Sequence, residues 1–301
     1  TSITLNGAAK RDWELGGRYN ELGATVTDLS GTGSAIITGS VDTSQLGTYT
    51  LLYTATDASG NTGSSVSRTV TVVDTTAPVV TLNGAAKRDW ELGGSYTELG
   101  ASATDLSGDV TVVTSGSVDT SVVGPYTLTY TSTDASGNAG TATRVVTVVD
   151  TTAPVVTVTG DNPATAELGS TYADAGASAT DLSGDVTVVT SGSVDTSTLG
   201  SYTLTYTATD ASGNFAFATR VVTVVDTTAP VVTLNGAAKR DWELGGSYTE
   251  LGASASDLSG TINVVISGTV STTTLGDYVL TYTATDASGN VGTATRIITV
   301  V

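Results

Sequence analysis

A nine-residue sequence recurs through the chain and limits the folds that the chain can adopt. Val-Val-Asp-Thr-Thr-Ala-Pro-Val-Val occupies residues 72–80 and returns at 148–156 and 224–232. The β-branched runs on either side favour strands. The proline offers no N–H to a sheet and favours extended geometry in the residue before it. The segment therefore predicts the end of one strand, a short stiff linker and the start of the next strand.

The linker belongs to a longer internal repeat. The sequence Asp-Ala-Ser-Gly-Asn begins at Asp57, Asp134, Asp210 and Asp286, in steps of 77, 76 and 76 residues. Units of about 75 residues are each large enough to bury a small core. We therefore expect an elongated rod of four tandem domains, at residues 1–73, 74–149, 150–225 and 226–301. Thr1 and Val301 match Pro78 and Val225 in the repeat, so we also expect a segment of a longer array.

The pattern within one repeat predicts strands and turns. Polar and apolar residues alternate with a period of two, and no helical period is sustained. In the second repeat we expect strands at 79–82, 96–104, 110–114, 126–133 and 141–149, separated by turns rich in Gly, Asn and Asp. Tyr126 precedes apolar Leu128 by two residues, as in a tyrosine corner, where the hydroxyl binds nearby backbone. Six or seven short strands predict an all-β sandwich in each repeat.

Composition excludes several classes of function. The net charge is −18 with only 11 basic residues, which argues against nucleic acid and anionic membranes as partners. The chain contains neither His nor Cys, so the usual catalytic bases, nucleophiles and zinc ligands are missing. Carboxylate pairs such as Asp89 and Glu91 could in principle cleave glycosidic bonds, but near-copies of one active site in successive repeats are not expected. The sequence predicts a protein that is not an enzyme.

Five motifs of the repeat carry a family resemblance. They are Asp-Thr-Thr-Ala-Pro at 74–78, Glu-Leu-Gly-Gly-Ser-Tyr at 91–96, Ser-Val-Asp-Thr-Ser at 117–121, Gly-x-Tyr-x-Leu-x-Tyr at 124–130 and Asp-Ala-Ser-Gly-Asn at 134–138. Together they resemble the bacterial immunoglobulin-like (Ig-like) tandem repeats of large cell-surface proteins and adhesins. The resemblance implies Ig-like sandwiches at the bacterial cell surface, a stalk or spacer role, and Ca²⁺ between domains as in some related adhesin modules.

The loops of such sandwiches predict where acidic side chains gather. Asp105 and Asp134 should face the linker residue Asp74 at one end of a repeat, while Glu14 and Asp42 approach from the preceding repeat. Clustered carboxylates suit Ca²⁺, which takes six to eight oxygen ligands, so Ca²⁺ is the one candidate cofactor. The candidate ligands at the three linkers are Glu14, Asp42, Asp74, Asp105 and Asp134, then Glu91, Asp119, Asp150, Asp181 and Asp210, then Glu167, Asp195, Asp226, Asp257 and Asp286. The alternative is that these side chains bind local turn backbone and need no metal.

A charged tryptophan motif is the other unusual stretch. Lys-Arg-Asp-Trp-Glu occupies 10–14, 87–91 and 239–243, whereas the third repeat has Pro-Ala-Thr-Ala-Glu at 163–167. Trp13, Trp90 and Trp242 could contact a partner, because Trp and Arg are enriched at binding hot spots. The alternative is an amphipathic lid that packs on its own sandwich or on the next repeat.

These features favour a non-enzymatic structural stalk that projects a distal functional domain from a bacterial surface protein or adhesin. One alternative is a subunit of an extracellular filament or sheath that assembles through exposed edge strands or the tryptophan motif. Another is an adhesin module that binds a glycan or protein on a host or cell surface. The expected partners are neighbouring repeats, other copies of the chain or such a ligand.

Overall fold

The computed structural model describes residues 1–28, 31 and 33–301. The chain divides into two compact units, Thr1–Asp150 and Thr151–Val301. Both units are built from strands joined by turns and irregular segments. Nowhere in the described residues is there a helix of the length and apolar character needed to cross a bilayer.

The first unit contains the first two repeats. Its first repeat forms strands β1 (Ser2–Leu5), β2 (Lys10–Glu14), β3 (Ala24–Thr27), β4 (Ala35–Thr38), β5 (Gly47–Ala55) and β6 (Val66–Val73). Its second repeat forms β7 (Val79–Leu82), β8 (Lys87–Glu91), β9 (Ala101–Thr104), β10 (Val112–Ser115), β11 (Gly124–Thr133) and β12 (Ala139–Val149).

The second unit contains the third and fourth repeats. The third repeat forms β13 (Val155–Val158), β14 (Ala164–Glu167), β15 (Ala177–Thr180), β16 (Thr187–Ser191), β17 (Gly200–Thr209) and β18 (Phe215–Val225). The fourth forms β19 (Val231–Leu234), β20 (Lys239–Trp242), β21 (Ala253–Ser256), β22 (Val264–Ser267), β23 (Gly276–Thr285) and β24 (Val291–Val300).

Each repeat pairs a two-stranded sheet with a four-stranded sheet. In the second repeat β7 pairs with β9, and the larger sheet has the order β8-β12-β11-β10. Strand β8 runs parallel to β12, while the other neighbours are antiparallel. The other repeats have the same two sheets. The orders are β1-β3 and β2-β6-β5-β4 in the first repeat, and β13-β15 and β14-β18-β17-β16 in the third. In the fourth repeat they are β19-β21 and β20-β24-β23-β22. The predicted all-β fold with two sheets per repeat is confirmed.

Two segments of the second repeat differ from the sequence prediction. The strand expected at 96–104 forms only at Ala101–Thr104, because Tyr96 and Glu98 turn inward to a buried cluster described below. The Lys-Arg-Asp-Trp-Glu segment forms the edge strand β8. Its charged side chains suit an edge, since charges there discourage pairing with another strand.

The hairpin of β11 and β12 supplies most of the core of the second repeat. Leu128 and Tyr130 on β11 and Val146 and Val148 on β12 are at most 3% exposed. The sequence does not predict which face of β12 points into the core, because β-branched residues occupy both faces. The structure puts Val146 and Val148 inside, in phase with Arg144, which is also fully buried. The predicted tyrosine corner forms, since the Tyr126 hydroxyl donates to the Val122 carbonyl at 2.9 Å.

The buried arginine is the main feature that the sequence analysis missed. Arg144 Nε donates to the carbonyl of Ala85 at 3.0 Å, and Nη2 donates to that of Asn83 at 2.6 Å. Nη1 forms an ion pair with Glu98, which also accepts a hydrogen bond from the Tyr96 hydroxyl. One guanidinium thus ties the long hairpin to the β7–β8 turn and to the segment before β9.

The same cluster recurs in every repeat. The ion pairs are Arg68–Glu21, Arg144–Glu98, Arg220–Asp174 and Arg296–Glu250. The third repeat uses the shorter acid, and there Arg220 Nη1 lies 2.9 Å from the carboxylate of Asp174. Burial alone would raise the pKa of Glu21, but hydrogen bonds from Tyr19 and the Gly23 N–H, with the charge of Arg68, hold it below its usual value. The pKa of Glu250 is lowered in the same way.

These lowered pKa values predict acid unfolding. A carboxylate with a folded pKa below its unfolded value of about 4.3 adds stability above that pH, and the stability is lost as the pH falls through the folded pKa. We expect the melting temperature to be nearly constant from pH 7 to about 5 and to fall steeply below about pH 4.3. Calorimetry at a series of pH values measures the melting temperature. A melting temperature that is unchanged at pH 3 would contradict the role of the ion pairs.

Candidate acidic sites at the repeat junctions

Three acidic side chains meet where the first repeat joins the second. Asp74 lies in the linker, Asp105 follows β9, and Asp134 follows β11. One carboxylate oxygen from each lies within 4.8 Å of the other two. We call these residues the first acidic cluster. The sequence analysis expected these side chains to face one another, because the loops after β9 and β11 lie at the end of the sandwich that receives the linker.

Local hydrogen bonds hold each carboxylate of the first acidic cluster in place. Asp134 accepts from the backbone N–H of Asn138 at 2.9 Å and from its side-chain amide at 2.8 Å. The amide of Asn138 also donates to the carbonyl of Asp74 at 3.1 Å, which fastens the linker to the hairpin turn. Asp105 accepts from the N–H and hydroxyl of Ser107 at 2.7 and 2.5 Å. The turns therefore present the carboxylates with little freedom to separate.

One oxygen of the first acidic cluster lacks a partner. Asp74 is 8% exposed, and its Oδ1 accepts from the Thr76 N–H at 3.1 Å. Its Oδ2 is buried and has no hydrogen-bond partner among the described residues. An unpartnered buried polar atom costs about 1–3 kcal/mol, and more when it is charged. The described residues therefore leave the burial of this oxygen without a compensating hydrogen bond.

The second unit contains an equivalent second acidic cluster of Asp226, Asp257 and Asp286, again with carboxylate oxygens within 4.8 Å of one another. Asp226 is 8% exposed, its Oδ1 accepts from Thr228, and its buried Oδ2 has no partner in the part of the chain that the structure describes. Asn290 repeats the role of Asn138, since its amide donates to Asp286 at 2.8 Å and to the Asp226 carbonyl at 3.0 Å. The unpartnered linker oxygen is thus found in both units.

The electrostatics of both clusters favour a cation. Burial would raise the pKa of Asp134, but hydrogen bonds from Asn138, Gly137 and Ser136 outweigh it and lower the pKa. The pKa of Asp286 is lowered in the same way. Two unit charges 4.8 Å apart repel by about 3 kcal/mol at an effective dielectric of about 20. No Lys or Arg among the described residues forms a recorded ion pair with either cluster.

A glutamate fixes the linker from the preceding repeat. The Glu14 carboxylate accepts from the N–H and hydroxyl of Thr75 at 3.0 and 2.6 Å and from the hydroxyl of Thr76 at 2.7 Å. In the second unit Glu167 accepts in the same way from Thr227 and Thr228, with all three distances at 2.8 Å. These glutamates therefore bind the linker chain and lie outside the acidic clusters.

A leucine and a glycine interlock at the same junctions. The backbone of Gly16 has φ = 71°, and a Cβ placed there would lie 2.4 Å from Cδ2 of Leu106. In the second unit a Cβ on Gly169 would lie 2.2 Å from Cδ2 of Leu258. Each glycine leaves room for a leucine that directly follows a cluster aspartate. Leu106 and Leu258 are 70% and 73% exposed, so each contacts the preceding repeat with only part of its side chain.

Other predicted ligands lie in local turns. Asp42, Asp119 and Asp195 each accept from the N–H and hydroxyl of the serine two residues later, as the alternative without a metal expects. None of these three belongs to the first or second acidic cluster. Glu91 ends β8. A metal site of Asp150, Asp181, Asp210 and Glu91 stays a prediction.

The tryptophan motif packs on its own repeat. Trp90 contacts Tyr96 edge to face, with ring centroids 5.1 Å apart, and the Arg88 guanidinium lies 5.1 Å from the Trp90 ring. The parallel pairing of β8 with β12 places Arg88 beside the buried Val146 and Trp90 beside the buried Val148. The first and fourth repeats have the same Trp–Tyr and Arg–Trp contacts. The half-buried rings therefore close the side of each sandwich, and a partner-binding role for them stays a prediction.

Comparison with known proteins identifies the family. A family described as bacterial surface protein, Ig-like domain, matches residues 3–72, 80–148, 156–224 and 232–300. The chain belongs to this family. The resemblance inferred from the repeat motifs is thus confirmed, and the chain is a tandem Ig-like repeat module of the surface-protein type. The family description indicates an extracellular location and does not describe an enzyme.

Two hyalins are similar in sequence. Hyalin of Strongylocentrotus purpuratus is 39% identical over 319 aligned residues, which cover 92% of this chain and 25% of that protein. Hyalin of Lytechinus variegatus is 36% identical over 312 residues, covering 92% of this chain and 57% of that protein. The chain thus spans about a quarter and somewhat over half of the lengths of these relatives.

Two of the similar solved structures are cadherins. Protocadherin Gamma B2 extracellular domains 1–5 overlap with a TM-score of 0.37 and 14% identity, over 100% of this chain and 81% of that one. Drosophila N-cadherin EC1–4 overlaps with a TM-score of 0.30 and 13% identity, over 97% and 98%. Similarity at this level does not bear on function.

The close contact between Gly16 and Leu106 predicts the effect of adding one methyl group at Gly16. Gly16→Ala should destabilise the first unit by about 1–2 kcal/mol, because alanine disfavours the left-handed region and its Cβ meets Leu106. Gly16→Ala combined with Leu106→Ala removes the clash, so the loss should be smaller than the sum of the two single losses. Chemical denaturation of the parent protein, Gly16→Ala, Leu106→Ala and the double variant measures this coupling. Strict additivity would show that the two side chains do not interact.

Proposed function

We propose that the chain is a structural spacer of a surface protein, and that Ca²⁺ at the repeat junctions fixes one repeat on the next. The observation that carries the proposal is the way both units join their repeats. A glutamate accepts hydrogen bonds from the linker, a leucine contacts a glycine of the preceding repeat, and three carboxylates gather, one of which has a buried oxygen without a partner. A repeat whose junction is specified in this way can be copied to set a length.

The donor set supports Ca²⁺ over other metals. Each cluster offers three carboxylates and no softer ligand, because the chain has no His or Cys. Ca²⁺ accepts such hard oxygens in flexible arrangements with water in the remaining positions, whereas Mg²⁺ demands a near-ideal octahedron.

The cation proposal predicts a thermal shift. Extracellular Ca²⁺ modules have dissociation constants of about 10⁻⁴–10⁻³ M, so about 10 mM Ca²⁺ should stabilise an occupied repeat by roughly 1.4–2.7 kcal/mol. A variant with Asn at the linker positions Asp74, Asp150 and Asp226 should lose the Ca²⁺ response. It should also melt higher than the parent protein in EDTA, because one of three repelling charges is gone.

Asp42→Asn is the matched control for these variants. The Asp42 carboxylate accepts from the N–H and hydroxyl of Ser44 and lies outside the clusters, so this variant should keep the full response to Ca²⁺. An unchanged melting temperature of the parent protein in Ca²⁺ and in EDTA would rule out the cation. The spacer proposal would survive that result, because the glutamate clamp and the leucine contact do not depend on a metal.

The spacer proposal predicts that the chain tolerates deletion of one repeat. Removing residues 74–149 joins the end of the first repeat to the linker of the third in the same phase, since the linker sequence is identical at both places. On the spacer proposal each repeat folds by itself and adds to the length, so we expect the shortened chain to fold cooperatively and its maximum dimension to fall by about a quarter. Small-angle X-ray scattering measures both properties. Loss of folding on this deletion would contradict the proposal.

A further inference from the structure

In each repeat a strand near the start is paired with the strand at the end. In the second repeat the linker leads into β7, which pairs with β9 over four residues, and β8 follows. Strand β8 pairs in parallel with β12, from Lys87↔Val145 to Glu91↔Val149, and β12 leads out into the next linker. In the part of the chain that the structure describes, each sheet is built from strands of a single repeat. Tension on the two ends of the chain therefore passes through one repeat after another.

The parallel direction of this pairing decides how tension loads the strands. A pull on the preceding linker draws β8 towards its own amino end, because the chain reaches β8 from there. A pull on the following linker draws β12 towards its own carboxyl end. Since the two strands run in the same direction, the two pulls slide one strand along the other. The hydrogen bonds of a parallel pair are evenly spaced, so they share the load instead of opening one at a time.

Backbone hydrogen bonds continue the pairing beyond both ends of β8. The N–H of Val145 donates to the Ala86 carbonyl at 2.8 Å, and the N–H of Leu92 donates to the Val149 carbonyl at 2.8 Å. We call the strand pairs β2–β6, β8–β12, β14–β18 and β20–β24, together with their end bonds, the parallel ladders. The first and fourth ladders have the same two end bonds, Thr69 to Ala9 and Leu15 to Val73, and Ile297 to Ala238 and Leu244 to Val301.

The ladder of the third repeat is held differently at its start. The N–H of Val221, the counterpart of Val145, donates to the side-chain oxygen of Asn162 at 3.3 Å in place of a backbone carbonyl. The other end bond is kept, from the N–H of Leu168 to the last residue of β18 at 2.7 Å. Ala166 stands where the other repeats have tryptophan, so the Trp–Tyr contact that covers the edge strand elsewhere has no counterpart on β14.

We propose that the repeats bear tension along the chain, and that the parallel ladder is the element of each repeat that resists it. This function goes beyond the spacer role, since a length can be set without carrying a load. The third repeat yields first, because its ladder has a longer first bond and no tryptophan. Its unfolding lengthens the chain before the other three repeats fail, so this repeat limits the force that the chain transmits.

Single-molecule force spectroscopy of the full 301-residue chain in EDTA tests the proposal without the junction cation. Forced unfolding is governed by the unfolding rate, so it reports the resistance of the ladder and not the equilibrium stability. One repeat of 76 residues should lengthen the chain by about 25 nm, since an extended residue spans about 3.3–3.6 Å. We expect four such events, with the first at a lower force than the other three.

Reciprocal exchanges assign the weak event to the third ladder. Replacing residues 161–166 by the sequence of residues 85–90 gives the third repeat the tryptophan motif, and Tyr172 already stands at the position of Tyr96. This variant should lose the weak event, so that all four forces fall in one range. Replacing residues 85–90 by the sequence of residues 161–166 should produce a second weak event. Trp90→Ala is a smaller form of this second exchange and should lower one of the three higher forces.

Val113→Ala is the matched control. Val113 is 66% exposed on β10, at the opposite edge of the same sheet from β8 and outside the parallel ladder. This variant should leave all four forces unchanged. A parent chain that lengthens without separate force events would overturn the load-bearing function, and unchanged forces in both exchange variants and in Trp90→Ala would overturn the ladder as its element. The spacer proposal is tested separately by the deletion of residues 74–149, so either proposal can fail alone.

Discussion

A buried guanidinium holds each sandwich together. Arg144 donates to two carbonyls of the β7–β8 turn and pairs with Glu98, while its aliphatic stem continues the inward face of β12. A repeat of this size has few large apolar side chains to join its two sheets. The arginine connects three chain segments at one point. Removing one partner of such a buried pair typically costs about 3–5 kcal/mol, because the other charge is left uncompensated.

This use of arginine shapes the charge of the whole surface. Four of the 11 basic residues are buried in ion pairs, and six more lie in the Lys-Arg edge strands. Few basic side chains are left elsewhere to balance the 29 acidic ones. The junctions therefore gather carboxylates without a recorded protein cation. The proposed Ca²⁺ would bring positive charge to junctions where the described residues form no ion pair with the clusters.

The four repeats share a frame and differ at a few surface positions. The tyrosine corner, the buried arginine and the two-sheet order occur in all four. The third repeat replaces Glu with Asp174 in the ion pair, lacks the tryptophan motif and adds two phenylalanines. The frame tolerates these changes because the core hairpin and the linker remain intact. A single repeat can thus vary at surface positions while its fold is kept.

Much of this could be predicted from local sequence. The period of the repeat, the turns at Asp-Ala-Ser-Gly-Asn and the alternation in the hairpin determined an all-β chain of Ig-like repeats. The positions of Asp74, Asp105 and Asp134 at strand ends determined that they would meet. The charged edge strand β8 could not be found in this way, because its composition is typical of an exposed loop and only pairing with β12 orders it.

The tertiary structure alone decided which face of the last strand is buried, which arginine enters the core and which aspartate oxygen lacks a partner. These outcomes depend on groups that are distant in sequence, such as Arg144 and the carbonyl of Asn83, which are 61 residues apart. A local pattern records the preference of each residue for strand, turn or solvent. Whether a charge is buried depends instead on the partners that the folded chain brings to it, because burial without them is too costly.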